Sequence, residues 1–192
     1  MSARVLCGTI VYSSRTYRQA GRSYQQLMTI RLPGARRSLI SSTPRHHNQP
    51  LYSPNLRAFA FTSGAGADTQ GEELWVHDVK SAREELLFRS PDGNDIGLVV
   101  WSHDAASLYL VVDTNVSHIC RFDIAQRKMM TLAAGCQAAI APDGVRLAYT
   151  TCEGNATDGM CWIPPAGNPV LWEKAPRFPG RRTAPRSRWT VV

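Results

Sequence analysis

The most chemically suggestive cluster in the sequence is His46-His47-Asn48-Gln49, in which two adjacent imidazoles precede two amide side chains. Imidazole is the commonest metal ligand among side chains. Adjacent residues on an extended segment point to opposite sides, however, so both rings would rarely reach one ion, and no further ligands can be placed beside them. His46 and His47 are therefore the metal candidates of the chain, and a polar loop between strands is the favoured interpretation.

The familiar catalytic motifs are missing from the sequence. It contains no G-x-S-x-G nucleophile elbow, no Walker loop and no H-E-x-x-H pair. Asp92-Gly-Asn-Asp95 offers oxygen ligands but lacks the spacing and the terminal carboxylate of a calcium loop, so a plain turn is the simpler interpretation. We therefore predict no catalytic residues, no cofactor and no enzymatic activity in this chain.

The five cysteines show no C-x-x-C pair and no histidine at zinc-ligand spacing, which argues against a structural zinc site. Cys152 and Cys161 flank a turn-rich stretch between two strand-like segments, so a hairpin could place them opposite one another. A Cys152–Cys161 disulfide is the expectation for an oxidising compartment, and free buried thiols are the alternative.

The charge of the chain is concentrated at its two ends. Residues 1–50 hold eight arginines and no acid, residues 51–172 hold eight bases and fourteen acids, and residues 173–192 hold six bases and one acid. A nucleic-acid groove needs bases along one folded face with aromatic residues between them, so we expect no nucleic-acid partner. No apolar segment approaches the roughly 18 residues of a membrane helix, and no signal peptide is recognised.

Short β-rich segments recur with a period near forty residues, the size of one propeller blade. Turn residues separate the segments, and no window keeps helical periodicity over three turns, which predicts antiparallel sheet throughout. We predict four units, at about residues 8–40, 48–90, 97–133 and 136–172, of which the first lacks its opening strand. Residues 173–192, rich in Pro, Gly and Arg, are predicted to be disordered.

The turn after the first strand of each unit sets the alignment of the repeats. Ser53, Ser102 and Ala141 occupy this position, 49 and 39 residues apart. Ser90-Pro-Asp-Gly93 looks like a better turn, yet the strand order places it in the connection between two units. If Ser90 began this turn instead, Trp101 would fall out of register.

Ten residues are assigned a structural role by their place in the repeat. The two aspartates that end the third strand of a unit can accept backbone N–H groups and fix the hairpin, and the tryptophans fit a core between units. The ten are Ser53, Pro54, Trp75, Asp78, Trp101, Asp104, Asp123, Pro142, Asp143 and Gly144.

This pattern resembles the TolB-like, or WD-like, β-propeller repeat. The matching segments are Tyr52-Ser-Pro-Asn55 with Phe59-Ala-Phe61 and Leu74-Trp-Val-His-Asp78, Trp101-Ser-His-Asp104 with Leu108-Tyr-Leu110 and Arg121-Phe-Asp123, and Ala141-Pro-Asp-Gly144 with Leu147-Ala-Tyr149. The resemblance implies an all-β fold of about four four-stranded antiparallel blades. A TolB-like propeller usually closes with six blades, so we expect a partial propeller that belongs to a larger protein.

The resemblance leaves three functions open, because the same blades occur in unrelated proteins. The favoured one is a non-catalytic scaffold that binds a protein partner at a propeller face. The alternatives are the substrate-gating propeller of a prolyl-oligopeptidase-type serine peptidase and a metal-dependent lyase using His46 and His47. The resemblance also implies a periplasmic or otherwise extracytoplasmic location, and the open blade edges predict self-association.

Overall fold

Every regular element described in the computed structural model is a β-strand. The structure describes residues 8–17, 23–40, 45–64, 72–91, 94–141, 146–153, 156–163 and 170–173. Within these ranges there is no helix with the length and apolar character to cross a membrane. The predicted all-β fold is confirmed.

Fifteen strands form four separate antiparallel sheets. The first sheet holds β1 (Gly8–Tyr17), β2 (Ser23–Leu32) and β3 (Arg36–Leu39). The second holds β4 (His46–Tyr52), β5 (Ala58–Gly64), β6 (Glu73–Asp78) and β7 (Glu84–Arg89). The third holds β8 (Asp95–Trp101), β9 (Ser107–Asp113), β10 (Ser117–Asp123) and β11 (Lys128–Ala134). The fourth holds β12 (Gln137–Ile140), β13 (Leu147–Glu153), β14 (Ala156–Ile163) and β15 (Val170–Glu173).

Each sheet is a meander in which the strands lie side by side in chain order. The first strands of the later sheets are neighbours, since β4 contacts β8 and β8 contacts β12. In the first sheet β1 pairs with β2 in the way that β5 pairs with β6, so this sheet has no counterpart of β4 among the described residues.

The two middle sheets bury apolar side chains on both faces. Successive residues of a strand point to opposite sides, so each strand supplies side chains to both faces. In β5, Phe59 and Phe61 pack with Leu27 of the first sheet, whereas Ala60 between them joins the core shared with the third sheet. In β9, Leu108 and Leu110 belong to that same core. The intervening residues of β9 pack with Leu147 and Tyr149 of the fourth sheet.

The turn after the first strand is built identically in the second and third sheets. The Oγ atom of Ser53 lies 2.9 Å from the carbonyl oxygen of Ala58 and accepts the Ala58 N–H, and Ser102 makes the same two contacts with Ser107. In the fourth sheet the Ala141 N–H donates to the Arg146 carbonyl at the equivalent place.

Ser90 lies between β7 and β8, in the connection between sheets, so the repeat alignment drawn from the sequence holds in the structure. Ser102, and not Ser90, is the counterpart of Ser53. Pro142, Asp143 and Gly144 lie outside the described residues, as does the segment from residue 174 onward.

The hairpin of β13 and β14 does not place Cys152 opposite Cys161. The register pairs Cys152 with Thr157 and Cys161 with Tyr149. The two cysteines are therefore not cross-strand partners, because the hairpin turns immediately after Glu153, where Glu153 pairs with Ala156. The Cys152–Cys161 disulfide stays a prediction. The side chains of both cysteines lie outside the described part of the structure.

A glycine between the third and fourth sheets gives a test of this packing. A Cβ atom at Gly135 would come within 2.7 Å of both the Thr150 carbonyl oxygen and the Tyr149 ring. We expect Gly135→Ala to lower the free energy of unfolding by about 1–3 kcal/mol, the usual cost of overpacking, as measured by urea denaturation.

Gly97→Ala is the matched control, since its Cβ would make ordinary contacts of 3.6 and 3.8 Å with Val111. Its denaturation midpoint should stay at or above that of the parent, because alanine loses less entropy on folding than glycine. Equal destabilisation by the two substitutions would contradict the described contact between the third and fourth sheets.

Candidate functional site

The two candidate metal ligands point in different directions and are both engaged. His46 Nδ1 accepts the Gln25 N–H at 3.2 Å, and its ring lies 5.6 Å from that of Tyr24 in the first sheet. His47 is 3 % exposed and its ring stands edge-on to Phe61 at 5.3 Å. His46 therefore contacts the first sheet, and His47 packs within the second, so the two rings do not face one ion.

Burial lowers the pKa of His47 below its ordinary value of 6.5, because desolvation penalises the charged ring more than the nearby carboxylates favour it. His47 is thus a neutral component of the core at pH 7. Among the described residues, no three His, Cys, Asp or Glu side chains are grouped so as to hold a metal ion.

A buried carboxylate is the strongest polar site of the second sheet. Glu73 Oε2 accepts hydrogen bonds from Arg45 Nη1 at 2.7 Å and Trp75 Nε1 at 2.9 Å, and its Oε1 accepts from Arg89 Nε and Nη2 at 2.9 and 2.7 Å. The Glu73 side chain is 6 % exposed. Since every oxygen is occupied, Glu73 ties β6 to β7 and to the residue before β4, and no lone pair is directed at a substrate.

Sequence reasoning missed this arrangement. Glu73 opens the Leu-Trp-Val strand of its unit, and an acid at the start of a buried strand is the only signal that could have found it. Nothing in the spacing of Arg45 and Arg89, 28 residues before and 16 after Glu73, marks them as its partners.

The aspartates that end β6 and β10 hold their hairpins. Asp78 Oδ1 accepts the backbone N–H and the hydroxyl of Ser81, both at 2.7 Å, and these bonds hold the pKa of Asp78 below its usual value. Asp123 Oδ1 accepts the Gln126 N–H at 2.8 Å. Both carboxylates are thus committed to the backbone.

Asp104 and the exposed Pro54 lie in the turns after the first strands. The Ser102 hydroxyl and the Ala106 N–H lower the pKa of Asp104, so its charge is stabilised by the turn itself.

The two tryptophans join elements with both their rings and their N–H groups. Trp101 is 4 % exposed and donates from Nε1 to the Leu51 carbonyl of β4 at 2.8 Å, which links the third sheet to the second. Trp75 stacks on Phe61 with a centroid separation of 6.4 Å. Both side chains therefore have structural roles in the packing of the sheets.

One face of the first sheet has no other sheet packed on it within the described structure. Cross-strand partners share a face, and the pairs Ile10 with Ile30, Tyr12 with Met28 and Met28 with Leu39 bring five apolar side chains together. The opposite face carries Leu27 and packs on the second sheet. Ile10 is 50 % and Leu39 45 % exposed. We call Ile10, Tyr12, Met28, Ile30 and Leu39 the open face.

A cavity of about 560 Å³ lies between the third and fourth sheets, beside their first strands. Aliphatic residues such as Val99 and Ala138 line much of it, and Asp113 and Gln137 supply polar groups.

No family model matches the sequence, and no curated protein is significantly similar to it. Solved structures do match. TolB from Acinetobacter baumannii superposes with a TM-score of 0.67 at 18 % identity, over 85 % of this chain and 41 % of that one. The β-propeller domain of the Trilobed protease from Pyrococcus furiosus gives 0.63 at 14 % identity, over 86 % and 54 %. Pyrococcus horikoshii acylaminoacyl peptidase gives 0.63 at 12 % identity, over 86 % and 31 %.

The superpositions establish the fold as a partial β-propeller of the TolB-like type, which confirms the resemblance drawn from the repeats. The chain spans about two fifths of the length of TolB and about half of the Trilobed protease propeller domain. Similarity at this level of identity establishes the fold alone, since one fold carries many functions.

The buried imidazole gives a pH test. Because the folded pKa of His47 lies below its unfolded value of 6.5, the unfolded chain binds the proton more readily, and stability present above pH 6.5 is lost as the pH falls below it. We expect the urea midpoint of the parent to fall between pH 7 and pH 5. His47→Gln should flatten this dependence, whereas the exposed His103→Gln should leave it unchanged. Identical pH profiles for the parent and His47→Gln would contradict a neutral buried ring.

The buried carboxylate gives a second test. Glu73→Gln keeps the shape but removes the charge that Arg45 and Arg89 bind, so we expect a loss of about 1–3 kcal/mol of folding free energy, the scale for charge-assisted hydrogen bonds. Glu85→Gln is the control, because Glu85 also pairs with an arginine, Arg127, but is 58 % exposed. Equilibrium unfolding of both variants measures the difference, and a larger loss for Glu85→Gln would refute the assignment.

Proposed function

We propose that the chain is a non-catalytic propeller module that works by binding protein, and that the open face of the first sheet is the surface it uses. The observation that carries this proposal is the contrast between that face and the others. The middle sheets bury apolar residues on both faces, whereas Ile10 and Leu39 are about half exposed. A contiguous exposed apolar face on a folded domain is typical of an interaction site.

The partner we propose is a second copy of the same chain. The five residues of the open face are apolar, with Arg37 beside them as the cross-strand partner of Ile30. A twofold contact between two such faces closes after two copies. The contact would bury the open face against another sheet, as the opposite face of the first sheet is buried against the second.

The candidate chemical groups support a role without catalysis. His46, His47, Glu73 and Asp78 each hold strands or turns together through the contacts described above. The metal-dependent lyase interpretation required His46 and His47 to share an ion, and their opposite orientations count against it.

The proposal places the protein outside the cytoplasm. Cys136 is disulfide-bonded, and structural disulfides persist in oxidising compartments. The fold shared with TolB supports the same location.

The superposition on acylaminoacyl peptidase favours a second candidate, the propeller of a serine peptidase whose catalytic domain lies elsewhere. The two candidate functions differ in what covers the open face. Further blades of the same polypeptide would then cover Ile10 and Leu39, and these 192 residues alone would remain a monomer.

The open face is tested by size-exclusion chromatography with light scattering. We expect the chain to elute as a discrete dimer at micromolar concentration and the double variant Ile10→Lys, Leu39→Lys to weaken the dimer at least 100-fold. Removing two half-buried apolar contacts and adding two charges costs about 3 kcal/mol or more.

The control is Leu56→Lys with Val116→Lys, since these residues are 67 % and 48 % exposed but lie in the second and third sheets. The control should dimerise like the parent, and thermal denaturation should show that both double variants fold. A parent that is monomeric, or a dimer that the open-face variant leaves intact, would refute the proposed surface.

A further inference from the structure

The cavity between the third and fourth sheets has the size and the lining of a ligand pocket. Its volume of about 560 Å³ falls within the range of roughly 300–1,000 Å³ that is typical of small-molecule sites. Val99 and Val111 of the third sheet form one wall, and Ala138 of the fourth sheet belongs to the other. Aliphatic walls of this kind favour an apolar ligand, because its burial removes apolar surface from water.

A comparison of equivalent positions explains why this space is open. Between the second and third sheets, the Gln49 side chain bridges the first strands, since its Oε1 accepts the Leu98 N–H at 2.8 Å. Gln49 lies four residues before the turn residue Ser53, and Leu98 lies four residues before Ser102. The third sheet therefore carries an aliphatic side chain in place of the bridging amide, and leucine has no atom that accepts an N–H from the fourth sheet.

A second change widens the same gap. Trp101 of the third sheet donates to the Leu51 carbonyl and closes part of the space beside the second sheet. Ile140, which also immediately precedes the turn residue of its sheet, is smaller and has no indole N–H. Ala138 and Ala139, the two residues before it, are smaller still and line the cavity. β12 therefore leaves room between the third and fourth sheets.

The opening of this cavity is acidic. Asp113 lines it, is exposed, and has Asp95 as its cross-strand partner, and like charges directly opposite each other in a sheet repel. Glu72 adds a third carboxylate beside them, since its Oε2 accepts the Ile96 N–H at 2.7 Å. Burial raises the pKa of Glu72, and the charges of Asp95 and Asp113 raise it further. A cation at this opening would relieve the repulsion.

We propose that the cavity binds a small amphipathic cation, namely a primary amine with a compact apolar body. The apolar body lies between Val99, Val111 and Ala138, and the ammonium group pairs with Asp113 at the opening. The walls select for shape, and the carboxylates select for charge, because an anion of the same shape meets like charge there. The site lies apart from the open face, which belongs to the first sheet.

Titration with a matched pair of probes tests the charge preference. Adamantylamine and adamantanecarboxylate share one rigid hydrocarbon cage and carry opposite charges. We expect isothermal titration calorimetry at neutral pH to show one site per chain for the amine and to show the carboxylate binding about tenfold more weakly or worse, the scale of one close charge pair near a protein surface. An amine that does not bind, or that binds no better than the carboxylate, would overturn the proposal.

Two variants separate the shape of the cavity from its charge. Ala138→Leu should weaken amine binding about tenfold or more, because the leucine side chain and the hydrocarbon cage need the same space. Asp113→Asn keeps the shape and removes the charge, so amine binding should weaken by about fivefold. Glu85→Gln is the matched control, since it removes an exposed carboxylate of the second sheet, and should bind the amine like the parent. If all three variants bind the amine like the parent, the site is wrong.

Mapping on the parent protein needs no variant that alters the cavity. In an amide proton–nitrogen correlation spectrum, the amine should shift the signals of Gly97 and Val111, which line the cavity. Shifts confined to the residues of the open face would show that the probe binds there, and would overturn the cavity site. The open-face double variant Ile10→Lys, Leu39→Lys should bind the amine like the parent, whether or not the parent dimerises.

Discussion

The structure depends on one constraint, which is that its strands are apolar at both odd and even positions. A strand of this kind leaves apolar surface on both faces of its sheet, so each sheet needs a neighbour on either side. In β5 and β9 the constraint is met, and Phe59, Phe61, Leu108 and Leu110 are almost completely buried. Sheets therefore stack in a row, and the open face of the first sheet is one end of the described row.

Polar groups decide how neighbouring sheets and strands are aligned. The Trp101 indole donates across to β4, and Arg45 and Arg89 converge on Glu73. Apolar contact alone permits sliding, whereas a hydrogen bond has a direction and a buried carboxylate without partners is costly. Residues that could have done chemistry are used in this way, whereas the open face and the cavity between the third and fourth sheets are still available to a partner.

The architecture was readable from the sequence because it is a local property repeated four times. Turn residues at regular spacing, with short β-rich segments between them, predicted the meanders, a first sheet whose described strands begin at the counterpart of β5, and the equivalence of Ser53 with Ser102. Asp78 and Asp123 were recognised from position alone, since an aspartate at the end of a strand reaches backbone N–H groups within three residues. Such interactions need no knowledge of the rest of the chain.

The sequence by itself thus determined the strand order, the turns and the propeller type of fold. Only the tertiary structure decided which distant residues meet: that Arg45 and Arg89 bind Glu73, that His47 lies buried against Phe61, and that Cys152 and Cys161 are not cross-strand partners. The reason is physical. Turn and strand preferences act over a few residues, whereas the register of a hairpin and the contacts between sheets depend on how complete surfaces fit, which no short segment encodes.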